Sequence, residues 1–302
     1  MPTLIFQTLH GSRAYGLARP GSDTDIKGVI VGPARWYFGF SPAPEQLELS
    51  ADHVHYELRK FMRLAAANNP SVLEVLFAHE DDHRVVTKTG ERLLAARPTI
   101  LSKRTADTFG GYALSQLSRI RRHRRWLLSP PSGAPTREAF GLGSTPVLPK
   151  SELGAAEALR ERAALELPKS FIAVLDRERR YRAAQKEWQQ FRHWEKHRNP
   201  ARAALEAAHG YDTKHAMHLV RLSRMAVEIL ETGQVHVRRD DREELLAVRD
   251  GAWSYDALIE RSEGLRARIA SAKERSSLPD DAHEAGLDAL CADLVEEVLL
   301  CR

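Results

Sequence analysis

The sequence predicts an α+β protein, in which a small β-sheet near the N-terminus is followed by a mainly α-helical region. Short runs rich in β-branched and apolar residues occur at 3–9, 23–31 and 52–58, and they are typical of strands. After residue 58, apolar residues recur at the spacing of amphipathic helices. The Asn69-Pro70 pair then provides a cap and a first-turn residue for a second helix.

The turns between the first two predicted strands carry residues suited to phosphate and metal chemistry. Gly11-Ser12 follows the first strand and offers small residues, backbone N–H groups and a hydroxyl to a phosphate. Asp23 and Asp25 open the second strand, and their two-residue spacing directs both carboxylates to one side of the sheet. Paired carboxylates of this kind bind divalent cations. The combination predicts a metal-dependent site of nucleotidyl transfer.

The same residues resemble a known family. GSRAYGLARPGSDTDIKGVIV at 11–31 is similar to the signature of the DNA polymerase β nucleotidyltransferase superfamily, in which Gly-Ser precedes Asp-x-Asp. LRKFMRLAAANNPSVLEVLF at 58–77 and GYDTKHAMHLVRLSRMAVEILETG at 210–233 resemble its RNA-repair-pathway, or RNA-ligase-associated, branch. The resemblance covers residues 1–78 and 205–262. It implies a small mixed sheet like the palm of polymerase β, with a helical domain that completes the cleft.

The resemblance also implies an activity. It is the transfer of a nucleoside monophosphate from an NTP to a hydroxyl, with release of pyrophosphate. Asp23 and Asp25 would hold Mg²⁺, for which Mn²⁺ could substitute. By analogy with the family, Ser12 would bind a terminal phosphate, which Arg13 could also pair with. The implied acceptor is an RNA end, and an RNA ligase is the implied functional associate.

A third carboxylate is expected, because two-metal sites need several oxygen ligands. In the strand at 52–58, Val54 and Tyr56 alternate with polar residues, so Glu57 would lie opposite the apolar set and on the catalytic face. Glu57 is therefore the first candidate for the third acid. Asp52 is the alternative, because it begins the strand at the position where many superfamily members carry their third acid.

A long helix is predicted in the second half of the chain. It begins after Asp212, which can cap it, runs to about Glu231 and ends at Gly233.

This helix carries a basic stripe. Lys214, His218 and Arg221 stand at i, i+4 and i+7 and so share one face. Such a stripe can be a solvated surface, whereas the family context places it opposite the sheet. There Lys214 and Arg221 would contact phosphates, and Tyr211 could stack on a base.

Composition narrows the classes of protein without choosing among them. The length of 302 residues suits two globular domains, which we expect at 1–100 (catalytic) and 101–302 (helical, substrate-binding). The net charge of the chain is +4. A Pro- and Gly-rich loop is predicted around 129–150. No apolar run approaches a membrane span, and Cys291 and Cys301 fit no metal or redox motif, so we expect a cytoplasmic protein with reduced thiols.

Basic residues are concentrated in the middle of the chain. Arginines cluster at 119–125, and 177–202 interleaves basic residues with aromatic ones. Cations neutralise phosphates and aromatic rings stack on unpaired bases, which favours RNA as a partner.

The sequence leaves other interpretations of the function open. The acceptor could be a protein or a small molecule, as in antitoxin-type and antibiotic-modifying members of the superfamily, or the chain could be a non-catalytic nucleotide- or RNA-binding module. His53 and His55, at i and i+2, are typical of a strand surface, could border the nucleotide pocket, or could suggest a transition-metal site.

Overall fold

A computed structural model of the protein describes residues 1–146, 149, 152, 154 and 168–300. Its N-terminal part contains one five-stranded sheet in the order β3-β4-β2-β1-β5. The strands are β1 (Thr3–His10), β2 (Asp25–Val31), β3 (Gln46–Ser50), β4 (His53–Glu57) and β5 (His83–Val86). Strand β4 runs parallel to β2, whereas the other neighbouring pairs are antiparallel. The predicted small mixed sheet and the α+β class are therefore confirmed, although β3 and β5 were not predicted.

Helices make up most of the rest of the described chain. They are α1 (Gly11–Ala14), α2 (Arg35–Phe38), α3 (Leu58–Ala66), α4 (Pro70–Leu76), α5 (Lys88–Ala95), α6 (Arg104–Leu128), α7 (Lys169–Lys196), α8 (Pro200–His209), α9 (Thr213–Thr232), α10 (Arg242–Arg249), α11 (Tyr255–Arg275) and α12 (Glu284–Leu300). No helix among these described residues combines the length and the apolar character that a membrane crossing requires.

Side chains at the helix starts explain several boundaries. The Asn69 side chain accepts a hydrogen bond from the Val72 N–H at the start of α4, and Asp212 accepts one from the His215 N–H at the start of α9. Such caps satisfy N–H groups that lack a partner in the first helical turn. At its other end α9 stops at Gly233, so the predicted helix is confirmed at both ends.

The chain divides into two compact units. One comprises Met1–Arg121 and Leu205–Arg302, and the other comprises Arg122–Ala204. The first unit therefore contains the sheet together with the C-terminal helices. The functional division expected at residue 100 stays a prediction.

One face of the sheet carries the core of the first unit. Phe6 and Val29 lie opposite each other on β1 and β2, are fully buried, and pack in one cluster with Phe61 of α3. The same cluster takes in Met217 and Val220 of α9. Helix α9 thus shares a hydrophobic core with the sheet, which holds its residues at fixed positions near the strand ends.

Two predicted features fall partly outside the described residues. In the Pro- and Gly-rich segment, residues 147, 148 and 150 lie outside them, and the remainder contains only a short 3₁₀ turn at Glu138–Phe140. Cys301 also lies outside them, whereas Cys291 is a buried free thiol.

Candidate active site

The Gly11-Ser12 turn and the Asp25 carboxylate are in direct contact. His10, the last residue of β1, pairs with Asp25, the first residue of β2, so the turn that follows His10 starts beside this carboxylate. Gly11 has a φ of +67°, and a Cβ added there would lie 2.0 Å from Asp25 Oδ2. Only glycine fits this position, both for its backbone and for the space that the carboxylate occupies. The motif separated by a dozen residues in sequence is therefore one site in space.

Asp23 and Asp52 lie at the same end of the sheet. Asp23 precedes β2 and is exposed. The Ile26 N–H donates to the Asp52 carbonyl oxygen at 2.7 Å, and Ile26 pairs with His53 in the parallel ladder. Continued by one residue, this register sets Asp52 beside Asp25. Asp25 at the start of β2, with Asp23 and Asp52 just before β2 and β4, therefore lies at one end of the sheet together with these two acids.

Glu57 does not belong to this group, and the expectation that it lies on the catalytic face is wrong. It pairs with Ile30, five residues along β2 from Asp25, which is about 16 Å at the rise of a strand. Side chains alternate between the two faces along a strand, so Ile30, five residues from Asp25, points to the opposite face, and its partner Glu57 lies on that face as well. Asp25 shares its face with Val54 and Tyr56, the apolar set from which the alternation separated Glu57.

Glu57 has a structural role instead. Its carboxylate is buried, accepts hydrogen bonds from the Tyr37 hydroxyl at 3.0 Å and from the Arg59 N–H at 3.1 Å, and caps α3. Burial and the neighbouring Glu57 carboxylate raise the pKa of Tyr37, which keeps this phenol protonated as a donor.

Arg13 holds the chain segment that precedes β2. Its guanidinium donates to the carbonyl oxygens of Ser22 at 2.9 Å and Asp23 at 3.2 Å. These bonds hold the backbone that presents the Asp23 carboxylate. They place Arg13 beside the predicted metal ligand.

A buried charged network lies behind the turn. Glu74 of α4 is 3% exposed, and it accepts hydrogen bonds of 2.5 Å from both the Tyr15 hydroxyl and the Arg221 guanidinium. His10 Nε2 lies 3.3 Å from the same carboxylate. The Arg221 guanidinium also stacks on the Tyr15 ring, 3.8 Å from its centroid. The network therefore joins the end of β1, the residue after α1, and α9.

Electrostatics keep this network charged. Burial alone would raise the pKa of Glu74, but Arg221, His10 and Tyr15 lower it to about 2. Burial and the Glu74 carboxylate raise the pKa of Tyr15, so its hydroxyl stays a donor. A buried carboxylate that is fully paired in this way has little effect on the free energy of folding, whereas removal of one partner strongly destabilises the folded protein.

Comparison with known proteins agrees with the geometry at the strand ends. Residues 2–127 match RlaP, the RNA repair pathway DNA polymerase beta family. The match covers less than half of the chain, and over those residues the chain is similar to that family. The chain is also similar to the uncharacterized protein YcgL of Bacillus subtilis, with 32% identity over 81 residues. That alignment covers 24% of the chain and spans 30% of the relative's length. No solved structure matches the chain.

Outside the stretch that matches RlaP, two predicted nucleotide ligands are buried. Arg221 is 4% exposed and is bound to Glu74, so its guanidinium does not extend the basic stripe into a cleft. Tyr211 is 1% exposed, and its hydroxyl donates to the Trp253 carbonyl oxygen at 2.8 Å. The expectation that Tyr211 stacks on a base is wrong, because its ring is part of the core.

Lys214 and His218 occupy the remainder of the stripe. Both are half-buried, and their spacing puts them on the face of α9 that carries Arg221. That face is turned toward Tyr15 and the end of β1, since Arg221 contacts Glu74 and Tyr15 there. The two side chains therefore start on the side of α9 that adjoins the turn.

The basic and aromatic residues of the second unit form a small core. Trp126 and Phe191 are buried, and their ring centroids are 5.7 Å apart. The ring centroid of Trp194 lies 5.4 Å from that of Trp126. Trp194 is half-buried and carries the Arg198 guanidinium 4.9 Å above its ring. Trp126 and Phe191 therefore have a structural role, whereas Trp194 keeps part of its ring accessible to solvent.

Residues 1–146 and 168–300 contain no group of three or more histidine, cysteine or acidic side chains arranged to hold a metal ion. Asp23, Asp25 and Asp52 share an edge of the sheet without converging on one point. Polymerase β-like nucleotidyltransferases generally use divalent metals, and Mg²⁺ is usually held by one or two carboxylates together with substrate phosphates. The three carboxylates supply the oxygen ligands that such an ion prefers.

Glu74 is the residue of this site that sequence reasoning missed. It lies within SVLEVLF, where a single carboxylate is surrounded by apolar residues of a buried helix. A charge in such a position must be paired, and this was the available signal. Its partner Arg221 stands 147 residues away and could not be identified from spacing.

Proposed function

We propose that this protein is a metal-dependent nucleotidyltransferase, which moves a nucleoside monophosphate from an NTP to a hydroxyl acceptor and releases pyrophosphate. The observation that carries this proposal is the contact between Gly11 and the Asp25 carboxylate, at the edge where Asp23 and Asp52 also lie. Phosphate-binding and metal-binding groups must be adjacent for this chemistry, because the ion bridges the enzyme and the triphosphate. The match to RlaP over residues 2–127 supports the same reaction class.

We assign the metal ligands to Asp23, Asp25 and Asp52, with Mg²⁺ as the ion and Mn²⁺ as its substitute. All three offer carboxylate oxygens, which hard cations prefer. A bound ion would neutralise charge on the phosphates and on the departing pyrophosphate. Glu57 is left out of this set, because it caps α3 from the opposite face of the sheet.

The chain's own groups would position the substrate. The Ser12 hydroxyl and the backbone of Gly11-Ser12 lie beside Asp25 and suit a terminal phosphate. Lys214 and His218, on the face of α9 that adjoins the turn, would contribute positive charge or hydrogen bonds to the triphosphate. In this proposal residues 1–100 are the catalytic domain and residues 101–302 are the helical, substrate-binding domain.

We propose an RNA end as the acceptor, in cooperation with an RNA ligase. The name of the matched family, which refers to an RNA repair pathway, supports this choice. The arginine-rich second unit supports it as well, because cations with half-exposed aromatic rings suit single-stranded or structured RNA. We place the reaction in the cytoplasm, in agreement with a free, buried thiol at Cys291.

The test compares two conservative variants on one strand. The purified protein is incubated with each labelled NTP, Mg²⁺ and an RNA oligonucleotide or no acceptor, alongside Asp52→Asn and Glu57→Gln. We expect labelled RNA and pyrophosphate, a loss of at least 100-fold in Asp52→Asn, and near-normal turnover in folded Glu57→Gln. An Asp25→Asn variant serves as the inactive control.

Other outcomes separate the remaining hypotheses. Pyrophosphate release with label on protein or on a small molecule would move the acceptor away from RNA. Tight RNA binding without pyrophosphate release under any NTP would reject the enzymatic proposal. If Glu57→Gln abolished turnover while Asp52→Asn retained it, the ligand assignment would be wrong.

A further inference from the structure

The face of the sheet opposite Asp25 carries an uncommon polar cluster. Gln7 on β1, Gly28 on β2 and His55 on β4 form one row across three strands, and His53 lies two residues earlier on β4 on the same face. The Nε2 atoms of His53 and His55 are 2.9 Å apart, and the terminal amide atom of Gln7 lies 3.2 Å and 3.0 Å from them. We call this the amide–histidine triangle.

Hydrogen bonds cannot satisfy all three edges of the triangle. Each imidazole Nε2 presents either one hydrogen or one lone pair in its ring plane. If the Gln7 nitrogen donates to both histidines, their lone pairs face each other at 2.9 Å. If one histidine donates to the other, its N–H faces the Gln7 nitrogen. Every assignment of protons leaves one repulsive edge.

A cation removes this conflict. The oxygen and nitrogen of a glutamine amide are interchangeable in position, so a half turn of the Gln7 amide directs its oxygen into the triangle. Three lone pairs then converge. In an octahedral site, neighbouring ligand atoms about 2.1 Å from the metal stand at right angles to one another and are therefore about 3 Å apart. The three edges of 2.9, 3.0 and 3.2 Å match that spacing.

The fold builds this cluster on rigid elements. All three side chains project from paired strands, so their positions are fixed by the ladders. Gly28 provides the space between them, because a Cβ there would lie 2.6 Å from His55 Cδ2 and 3.0 Å from its Nε2. Gln7 and His53 are half-exposed, which gives solvent access from one side.

We propose that Gln7, His53 and His55 form a binding site for a divalent transition-metal cation that accepts octahedral coordination, of the Co²⁺ and Ni²⁺ class, distinct from the carboxylate edge. Imidazole nitrogens favour these ions over Mg²⁺, and the amide oxygen completes a three-ligand face whose remaining positions are open to water. The ion would clamp β1 to β4 across β2. It stabilises the folded chain because the unfolded chain does not gather these donors.

The experiment titrates the untagged full chain with Co²⁺ and measures visible absorption and bound metal. The variants are His53→Ala, Gln7→Leu, and Gln7→Glu, in which a carboxylate replaces the amide. A variant with His193→Ala and His197→Ala removes a second histidine pair at the C-terminal end of α7, whose ring centroids lie 4.3 Å apart. A variant with Asp23→Asn and Asp25→Asn removes the carboxylate edge.

We expect one tightly bound Co²⁺ in the wild type, in the α7 double variant and in the carboxylate variant. His53→Ala and Gln7→Leu should bind at least 10-fold more weakly with unchanged circular dichroism, and Gln7→Glu should bind more tightly. Ni²⁺ should raise the melting temperature of the wild type but not of His53→Ala. Absence of bound Co²⁺ in the dialysed wild type, or bound Co²⁺ unchanged in folded His53→Ala, would overturn the proposal.

Discussion

Arg221→Met tests whether this arginine belongs to the core or to the substrate. The wild-type guanidinium is 4% exposed, bonded to Glu74 at 2.5 Å and stacked on Tyr15 at 3.8 Å. Methionine approximates the volume of the side chain but removes the charge. Glu74 would then be a buried carboxylate without its strongest partner.

The size of the effect follows from that burial. Breaking a buried ion pair from one side costs about 3–5 kcal/mol, whereas replacing both partners by apolar residues is close to neutral. We therefore expect Arg221→Met to lower the free energy of unfolding by about 3–5 kcal/mol. A variant with both Glu74→Met and Arg221→Met should lose less than either single variant, because no uncompensated charge remains.

Urea denaturation of the four proteins in this double-mutant cycle measures the coupling. Arg224→Met is a control on the same helix, since Arg224 pairs with Asp241 and Glu244 but is partly exposed, and its loss should cost only about 1 kcal/mol. A structural role for Arg221 is excluded if Arg221→Met is as stable as the wild type and only raises the KM for NTP. That result would place the guanidinium at the triphosphate.

Two further perturbations concern the turn and its support. Gly11→Ala adds a methyl group 2.0 Å from Asp25 Oδ2, so we expect nucleotidyltransferase activity to fall on the order of 100-fold. Gly16→Ala is the control, because Gly16 has a similar φ of +73° but open space around it, so this variant has the same backbone strain and should keep its activity. Equal losses of the two variants in turnover assays would contradict this explanation. Glu74 has a pKa lowered from 4.5 to about 2, so its stabilisation is complete above pH 4.5 and is lost as the pH falls toward 2. In thermal unfolding, the free energy of unfolding should fall by about 3 kcal/mol over that pH range. A variant with both Glu74→Met and Arg221→Met should not show this loss, and an unchanged dependence of stability on pH in that variant would rule out Glu74 as its source.

Local patterns were sufficient to predict much of the fold. The strands β1 and β2 and the helices α3, α4 and α9 follow from β-branched runs, apolar periodicity and capping residues, all of which act over a few residues. The contact of Gly11 with Asp25 could also be anticipated, because an antiparallel pairing of the two strands brings their adjoining ends together. The edge strands β3 and β5, which are short and carry few apolar residues, gave no comparable signal.

The position of Glu57 could not be predicted from its own strand. Alternation showed only that Glu57 lies opposite Val54 and Tyr56. Which of these faces also carries Asp25 depends on the parallel register of β4 with β2, and that register sets Asp25 on the apolar side. A shift of one residue in this pairing would have placed Glu57 on the same face as Asp25. The strand register, and not the residue composition, therefore determines which acid lies beside Asp25.

Arg221 illustrates a second limit, and it also shows how far the site extends along the chain. Helical spacing grouped it with Lys214 and His218, but a helix that packs on two sides can bury part of a polar stripe. Its partner Glu74 lies within the stretch that matches RlaP, whereas Arg221 lies outside it. Because Glu74 also holds Tyr15 close behind the Gly11-Ser12 turn, the turn is supported by α9 as well as by the sheet. The end of the sheet that carries Asp25 and helix α9 therefore depend on one another for stability, although the family match ends at residue 127.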